Sequence, residues 1–92
     1  MKHATPPALN GLEPLLAQLR LLDGLTERKR GIFYRRSAAF LHFHEDPAGF
    51  FADMRVGPGW VRLPATTATH RRALLREVRA ELAAGAATLR RH

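Results

Sequence analysis

Residues 31–63, GIFYRRSAAFLHFHEDPAGFFADMRVGPGWVRL, decide the fold of the chain. The stretch contains all five Phe, the single Tyr and the single Trp of the sequence, residue types that favour β-strands. Turn-forming residues interrupt it at short intervals, in segments 35–37, 46–49 and 57–59. Turns this close together favour hairpins over crossover connections. The stretch therefore predicts four antiparallel strands in meander order, listed by residue number as 31–34, 38–45, 50–56 and 60–63.

The alternation of side chains along each strand predicts which residues share a face of this sheet. A four-residue loop over 46–49 pairs Leu41 with Met54, and a turn tip at Pro58-Gly59 pairs Met54 with Leu63. Both registers place apolar residues on the same face, which we expect the helices to cover. That face comprises Ala39, Leu41, Phe43, Ala52, Met54, Val56, Val61 and Leu63.

Apolar residues at helical spacing flank the sheet on both sides. They predict one helix over residues 12–23, with Pro14 in its first turn, and a second helix over residues 68–84. Between the first helix and the first strand, residues 26–30 are predicted to be a charged connector.

The predicted fold class is therefore α+β, in the order α-β-β-β-β-α. It has a four-stranded antiparallel meander sheet with the N- and C-terminal helices packed on one face. We expect a flexible lead-in over residues 1–10, a single domain over residues 11–85 and a basic tail over residues 86–92.

The composition limits the classes of function. The chain has no Cys, which excludes disulfides, thiolate metal ligands and cysteine nucleophiles. No apolar run reaches the ~20 residues that span a bilayer, and we find no signal peptide, so we expect a cytoplasmic protein without a membrane partner. The net charge is +7, but thirteen of the fifteen basic residues are Arg, dispersed in separate pairs and triplets. We assign this charge to a solvated surface and do not favour nucleic acid as the partner.

The alternate positions of the strands define a second sheet face, which the two predicted helices leave uncovered. Three aromatic residues lie there beside His, Asp and Arg, which is unusual for a plainly solvated surface. Phe40 and Phe51 belong to this face, and the register sets His42 opposite Asp53. The predicted binding residues are His42, His44, Asp53, Arg55, Trp60 and Arg62.

Four interpretations of this face remain open. The simplest is a cross-strand His–Asp pair on a solvated surface, with the aromatic residues providing strand propensity. The second is self-association as a homodimer, anchored by Trp60 with Arg55 or Arg62. The third is the binding of a small ligand or of single-stranded nucleic acid. The fourth is a metal-dependent or acid–base site.

The fourth interpretation rests on His42 and His44, whose imidazoles lie on one side of a strand, with Asp53 as a third ligand. The segment His42-x-His44-x-Asp46 imitates the start of a binuclear metallohydrolase signature, but Pro47 stands where that signature needs His. No fourth ligand is evident, and no phosphate-binding loop is present. We therefore predict no metal and no cofactor, and we favour a protein that is not an enzyme.

The segments FLHFHED at 40–46 and FADMR at 51–55 resemble a family of small bacterial proteins of about this length. The resemblance covers about residues 24–82. No activity of that family is known to us, so the resemblance implies no functional residues, although it supports a compact cytoplasmic domain. The sequence as a whole favours a small cytoplasmic binding or interaction module that self-associates, most simply as a dimer.

Overall fold

The computed structural model describes the backbone of residues 1–90 and the side chains of residues 1–85. The fold is α+β, with an antiparallel sheet and helices towards both ends of the chain, as predicted. The described elements are β1 (Lys2–His3), α1 (Pro6–Arg20), β2 (Thr26–Lys29), β3 (Ile32–Arg35), β4 (Ala38–Asp46), β5 (Gly49–Val56), β6 (Gly59–Pro64) and α2 (Ala68–Arg90).

The sheet has six strands in the described chain, so the prediction of four strands is wrong. Five strands follow the meander order β2-β3-β4-β5-β6, and β1 pairs with β4. At residues 44–46, β5 pairs with one edge of β4 and β1 lies at the other edge. Nearer the start of β4, that second edge pairs with β3. The sequence TERK of β2 has no apolar alternation, and β1 has two residues, so neither strand carries the pattern that predicts one.

The helices are longer or begin earlier than predicted. Helix α1 begins at Pro6, within the predicted lead-in, because proline in the first helical turn lacks only an N–H that would have no intrahelical partner. Pro14 consequently lies inside α1 and not in its first turn. The backbone of α2 continues past Gly85 to Arg90 through Ala, the strongest helix former, where a basic tail was predicted. Residues 91–92 of that predicted tail lie outside the described residues.

The predicted pairing of β4 with β5 is confirmed, from Leu41 opposite Met54 to Glu45 opposite Phe50. The predicted pairing of β5 with β6 is wrong by two residues, since Met54 lies opposite Val61 and not opposite Leu63. The turn tip is Gly57-Pro58, and Gly57 has a φ of +57°, which suits the first central position of a two-residue hairpin turn. A shift of two residues keeps every side chain on its predicted face.

Both helices pack against one face of the sheet and enclose a single core with it. Phe40 belongs to this core and is 2% exposed, although it was predicted to lie on the opposite face. The cause is an irregularity in the β3–β4 ladder, where Phe33 pairs with Leu41 but Tyr34 pairs with Ala39. Phe40 is the extra residue of this bulge, so it and Leu41 both reach the core. The largest fully buried side chains are Phe33, Leu12, Leu16, Leu19, Leu41, Leu74 and Val78.

Neither helix in the described part of the chain combines the length and the apolar character needed to cross a bilayer.

Candidate binding face and histidine cluster

The outer face of the sheet, opposite the helices, gains a histidine from the N-terminal strand. Backbone pairing sets His3 beside His44, and the Ala4 N–H donates to the carbonyl oxygen of Phe43 at 3.1 Å. The rings of His3 and His44 lie with their centroids 4.8 Å apart. Sequence reasoning missed His3 because a single histidine near a chain end carries no pattern; only the pairing of β1 with β4 reveals its position.

The side chain of Glu45 fixes β1 in this place. Its Oε2 accepts hydrogen bonds from the Thr5 backbone N–H at 3.0 Å and from the Thr5 hydroxyl at 2.8 Å. Its Oε1 lies 3.3 Å from the Lys2 ammonium. These contacts, the backbone N–H of Thr5 first, hold the pKa of Glu45 below its usual range, so the carboxylate is charged at neutral pH.

We call His3, His42 and His44 the histidine cluster. One ring nitrogen of each lies within 4.8 Å of those of the other two. The closest pair is His42 Nδ1 and His44 Nε2, which are 2.9 Å apart. His44 Nε2 also lies 3.1 Å from Asp53 Oδ2. Two imidazole nitrogens and one carboxylate oxygen therefore converge on the outer face.

Asp53 is held at this point by Arg62. The guanidinium donates through Nε to Oδ1 at 2.8 Å and through Nη2 to Oδ2 at 2.9 Å, a bidentate pair. These hydrogen bonds are the main cause that lowers the pKa of Asp53 below its ordinary value. The carboxylate is therefore ionised at neutral pH and faces the histidine cluster as a hydrogen-bond acceptor.

Trp60 covers the cluster from β6. Its ring lies 4.8 Å from the ring of His42, between centroids, and the Arg55 guanidinium lies 5.3 Å from the Trp60 centroid. The predicted binding residues are thus joined by successive contacts, from Arg55 through Trp60, His42 and His44 to Asp53 and Arg62.

The outer face is less bare than the sequence suggested. His44 is 8% exposed and His42 is half-buried, whereas both imidazoles were expected to be open to solvent. Trp60 lies against His42, and the ring of His44 contacts His3, His42 and Asp53, all on the outer face. The predicted alternation along β4 is therefore correct here, and the burial has a different source.

Burial, and then the neighbouring His44, lowers the pKa of His42 below its ordinary value, so its neutral form is favoured at neutral pH. The Nδ1 atom of His44 is buried and has no hydrogen-bond partner among the described residues. Buried polar atoms without a partner are rare in native proteins, and they are associated with functional roles, bound water or bound ions. The unpartnered nitrogen of His44 makes the cluster a candidate functional site.

Comparison of the chain with protein-family models, curated proteins and solved structures gives no match.

Proposed function

We propose that the protein is a small binding module that joins two copies of itself through β6, the strand at the edge of the outer face. The observation that carries this proposal is the exposure of three large apolar residues on the β5–β6 hairpin. Val56, Trp60 and Val61 are 38%, 40% and 39% exposed. Trp60 lies on the outer face, whereas Val61 shares the opposite face with Met54. Exposed apolar residues on both faces of an edge hairpin leave surface that a second chain can cover.

The backbone of β6 supports the same proposal. In the described part of the chain β6 pairs with β5 on one side, and its other side carries no strand. Five of its six residues are exposed. An open strand edge presents N–H and C=O groups that pair readily with another strand. Addition of a strand from a second chain would satisfy these groups and extend the sheet.

A second copy of the same chain fits this edge because β6 is complementary to itself. In an antiparallel arrangement centred on Val61, this residue meets Val61 of the second copy, and Trp60 meets Arg62 of the second copy. Such a two-fold interface uses the same surface on both subunits. A Trp–Arg contact at an exposed site contributes roughly 0.5–1 kcal/mol and occurs twice in the dimer.

The test is the molar mass in solution, measured by light scattering on a size-exclusion column at about 10–100 μM, where a Kd of order 1 μM leaves mostly dimer. We expect a dimer for the unchanged chain and a shift towards monomer for Trp60→Ala, because the substitution removes the apolar anchor and the partner of Arg62. A monomer throughout this concentration range would contradict the proposal, as would a dimer that Trp60→Ala leaves unchanged.

A further inference from the structure

The histidine cluster brings together more lone pairs than protons. A neutral imidazole has one protonated nitrogen and one lone-pair nitrogen, and an ionised carboxylate is an acceptor only. His44 Nε2 lies 2.9 Å from His42 Nδ1 and 3.1 Å from Asp53 Oδ2. If His44 Nε2 carries the proton, that one proton serves both neighbours. If His42 Nδ1 carries it, the lone pair of His44 Nε2 faces the Asp53 carboxylate. A cation placed between the three atoms would accept a lone pair from each of them.

The distances agree with the edges of a tetrahedral metal site. Two ligands bound at about 2.0–2.1 Å to a tetrahedral zinc ion lie about 3.3 Å apart. The His42–His44 and His44–Asp53 separations, 2.9 Å and 3.1 Å, are within a few tenths of an ångström of this value. The ring nitrogen of His3 lies within 4.8 Å of those of the other two histidines. His3 is exposed, so its ring has room to move the remaining distance.

Asp53 retains the capacity to bind a metal ion while it pairs with Arg62. A carboxylate offers about four lone-pair positions, and Arg62 occupies two, one on each oxygen. The second lone pair of Oδ2 remains for an ion beside His44. The donor set would then be three imidazoles and one carboxylate, which suits zinc and other divalent first-row transition metals.

We propose that His3, His42, His44 and Asp53 bind a divalent transition-metal ion of the zinc class on the outer face of the sheet. The ion joins β1 to the meander, because His3 is the single ligand from outside β4 and β5. Glu45 and Arg62 support the site, the first by fixing β1 and the second by orienting the carboxylate. Metal sites commonly depend on such supporting contacts.

The site is reachable from solvent. His3 is exposed and His42 is half-buried, so two of the four proposed ligands meet solvent. Trp60 is 40% exposed and covers His42 only in part. An ion therefore has a path to the cluster without unfolding of the sheet. This proposal does not depend on self-association, since all four ligands belong to one chain.

The experiment is a zinc titration of the chain, purified without a histidine tag and treated with a chelator, followed by calorimetry. We expect about one ion per chain and, with Co²⁺, the visible absorption of a tetrahedral complex. His3→Gln and His42→Gln should each weaken zinc binding at least about tenfold, the lower end of the loss that even supporting residues cause. His3 is exposed, so its variant tests the site without endangering the fold.

His70→Gln is the matched control, because His70 lies on α2, away from the cluster, and bonds with Thr67 there. We expect its zinc affinity to stay within roughly twofold of the unchanged chain, since no ligand is removed. NMR signals of the histidine ring nitrogens provide a second measurement, one that needs no substitution. In the unchanged chain, zinc should shift the signals of His42 and His44 and leave those of His70 in place. Absence of zinc binding up to about 1 mM, or equal affinity in the His3 and His70 variants, would overturn the proposal.

The same titration of Val61→Lys separates this proposal from the one on self-association. Zinc binding by a monomeric Val61→Lys variant supports the metal site by itself, and loss of zinc binding together with the dimer would contradict a site built within one chain.

Discussion

The two edges of the sheet differ in how well each is suited to pair with a strand of a second chain. At one edge, β2 has four residues, three of them charged, and its pairing with β3 is irregular between Glu27 and Lys29. At the other edge, β6 has six residues in unbroken register with β5. Short, charged and irregular edge strands resist pairing with other chains, whereas long, regular and apolar ones promote it. We therefore expect the β2 edge to resist pairing with a second chain and the β6 edge to accept it.

Ion pairs and hydrogen bonds surround the β2 edge. Glu27 accepts hydrogen bonds from the Arg20 guanidinium and, at 2.9 Å, from the backbone N–H of Gly31. Arg20 and Arg30 both pair with Glu13 on α1, and Arg28 lies over the ring of Tyr34. At β6 the single charged residue is Arg62, and Asp53 neutralises it. The charge that could repel a second copy from β6 is thus already compensated.

The largest expected effect is on the free energy of unfolding, and it differs between a substitution next to β2 and one on β6. Phe33, next to the β2 edge, is fully buried, whereas Val61 on β6 is 39% exposed. Phe33→Ala should lower the free energy of unfolding by about 3–5 kcal/mol, because it leaves a cavity in the core. Val61→Ala should cost less than about 1 kcal/mol in the monomer, since little apolar surface is lost from the core. Urea denaturation at low protein concentration measures both, and equal losses would contradict the comparison.

The next effect concerns assembly. Val61→Lys places a charge at the centre of the proposed interface, where two copies would bring two ammonium groups together, so we expect the dimer to dissociate. The matched control is Leu21→Lys, which makes the same kind of change at an exposed apolar residue remote from β6, 82% exposed after α1. Sedimentation velocity should show the first variant as a monomer and the second as a dimer. Dissociation of both would indicate a general effect of charge.

A smaller effect tests the protected edge. Glu27→Gln removes the charge that Arg20 and the Gly31 N–H contact, and we expect a loss of about 1 kcal/mol in the free energy of unfolding, the usual net contribution of a hydrogen bond, because the ion pair is exposed. If the ion pairs protect this edge, the variant should also aggregate faster than the unchanged chain, at protein concentrations above those at which the proposed dimer forms. Unchanged stability and unchanged aggregation would indicate that the short length of β2 is enough to prevent its pairing with other chains.

The smallest effect is a dependence on pH. Hydrogen bonds from Arg20 and then Arg30 lower the pKa of Glu13 from 4.5 to about 2. A carboxyl group with a depressed pKa contributes stability fully above its ordinary pKa, and loses that contribution as the pH falls towards the folded value. Glu13→Gln should therefore melt slightly below the unchanged chain at pH 7 and close to it near pH 2. The side chain is well exposed, so the difference should be small and should shrink in high salt.

The sequence predicted those parts of the fold that carry a periodic pattern. The alternation along β4 and β5 gave the correct faces for Leu41, Phe43, His42 and His44, and the loop over 46–49 gave the correct register. The predicted pairing of β5 with β6 was wrong because Gly57, Pro58 and Gly59 allow more than one turn tip. That error was harmless for the faces, since two residues are one full period of a strand.

Features set by tertiary contacts escaped prediction. Phe40 is buried through a bulge, and a bulge leaves no local mark in a run such as AAFLHF. β2 and β1 are held by backbone pairing with β3 and β4, and their own side chains contribute little pattern. His3 reaches the candidate site through the second of these strands, so the third imidazole of the cluster is visible only in the folded chain.

The most direct test of the account is hydrogen exchange of the β6 and β2 amides, followed by NMR at two protein concentrations about a hundredfold apart. If β6 joins two copies, the protection of β6 amides should rise with concentration, since association by mass action suppresses local opening at the interface, while the β2 amides exchange at the same rate in both samples. Protection of β6 that does not depend on concentration, or a rise at β2 in its place, would contradict the account.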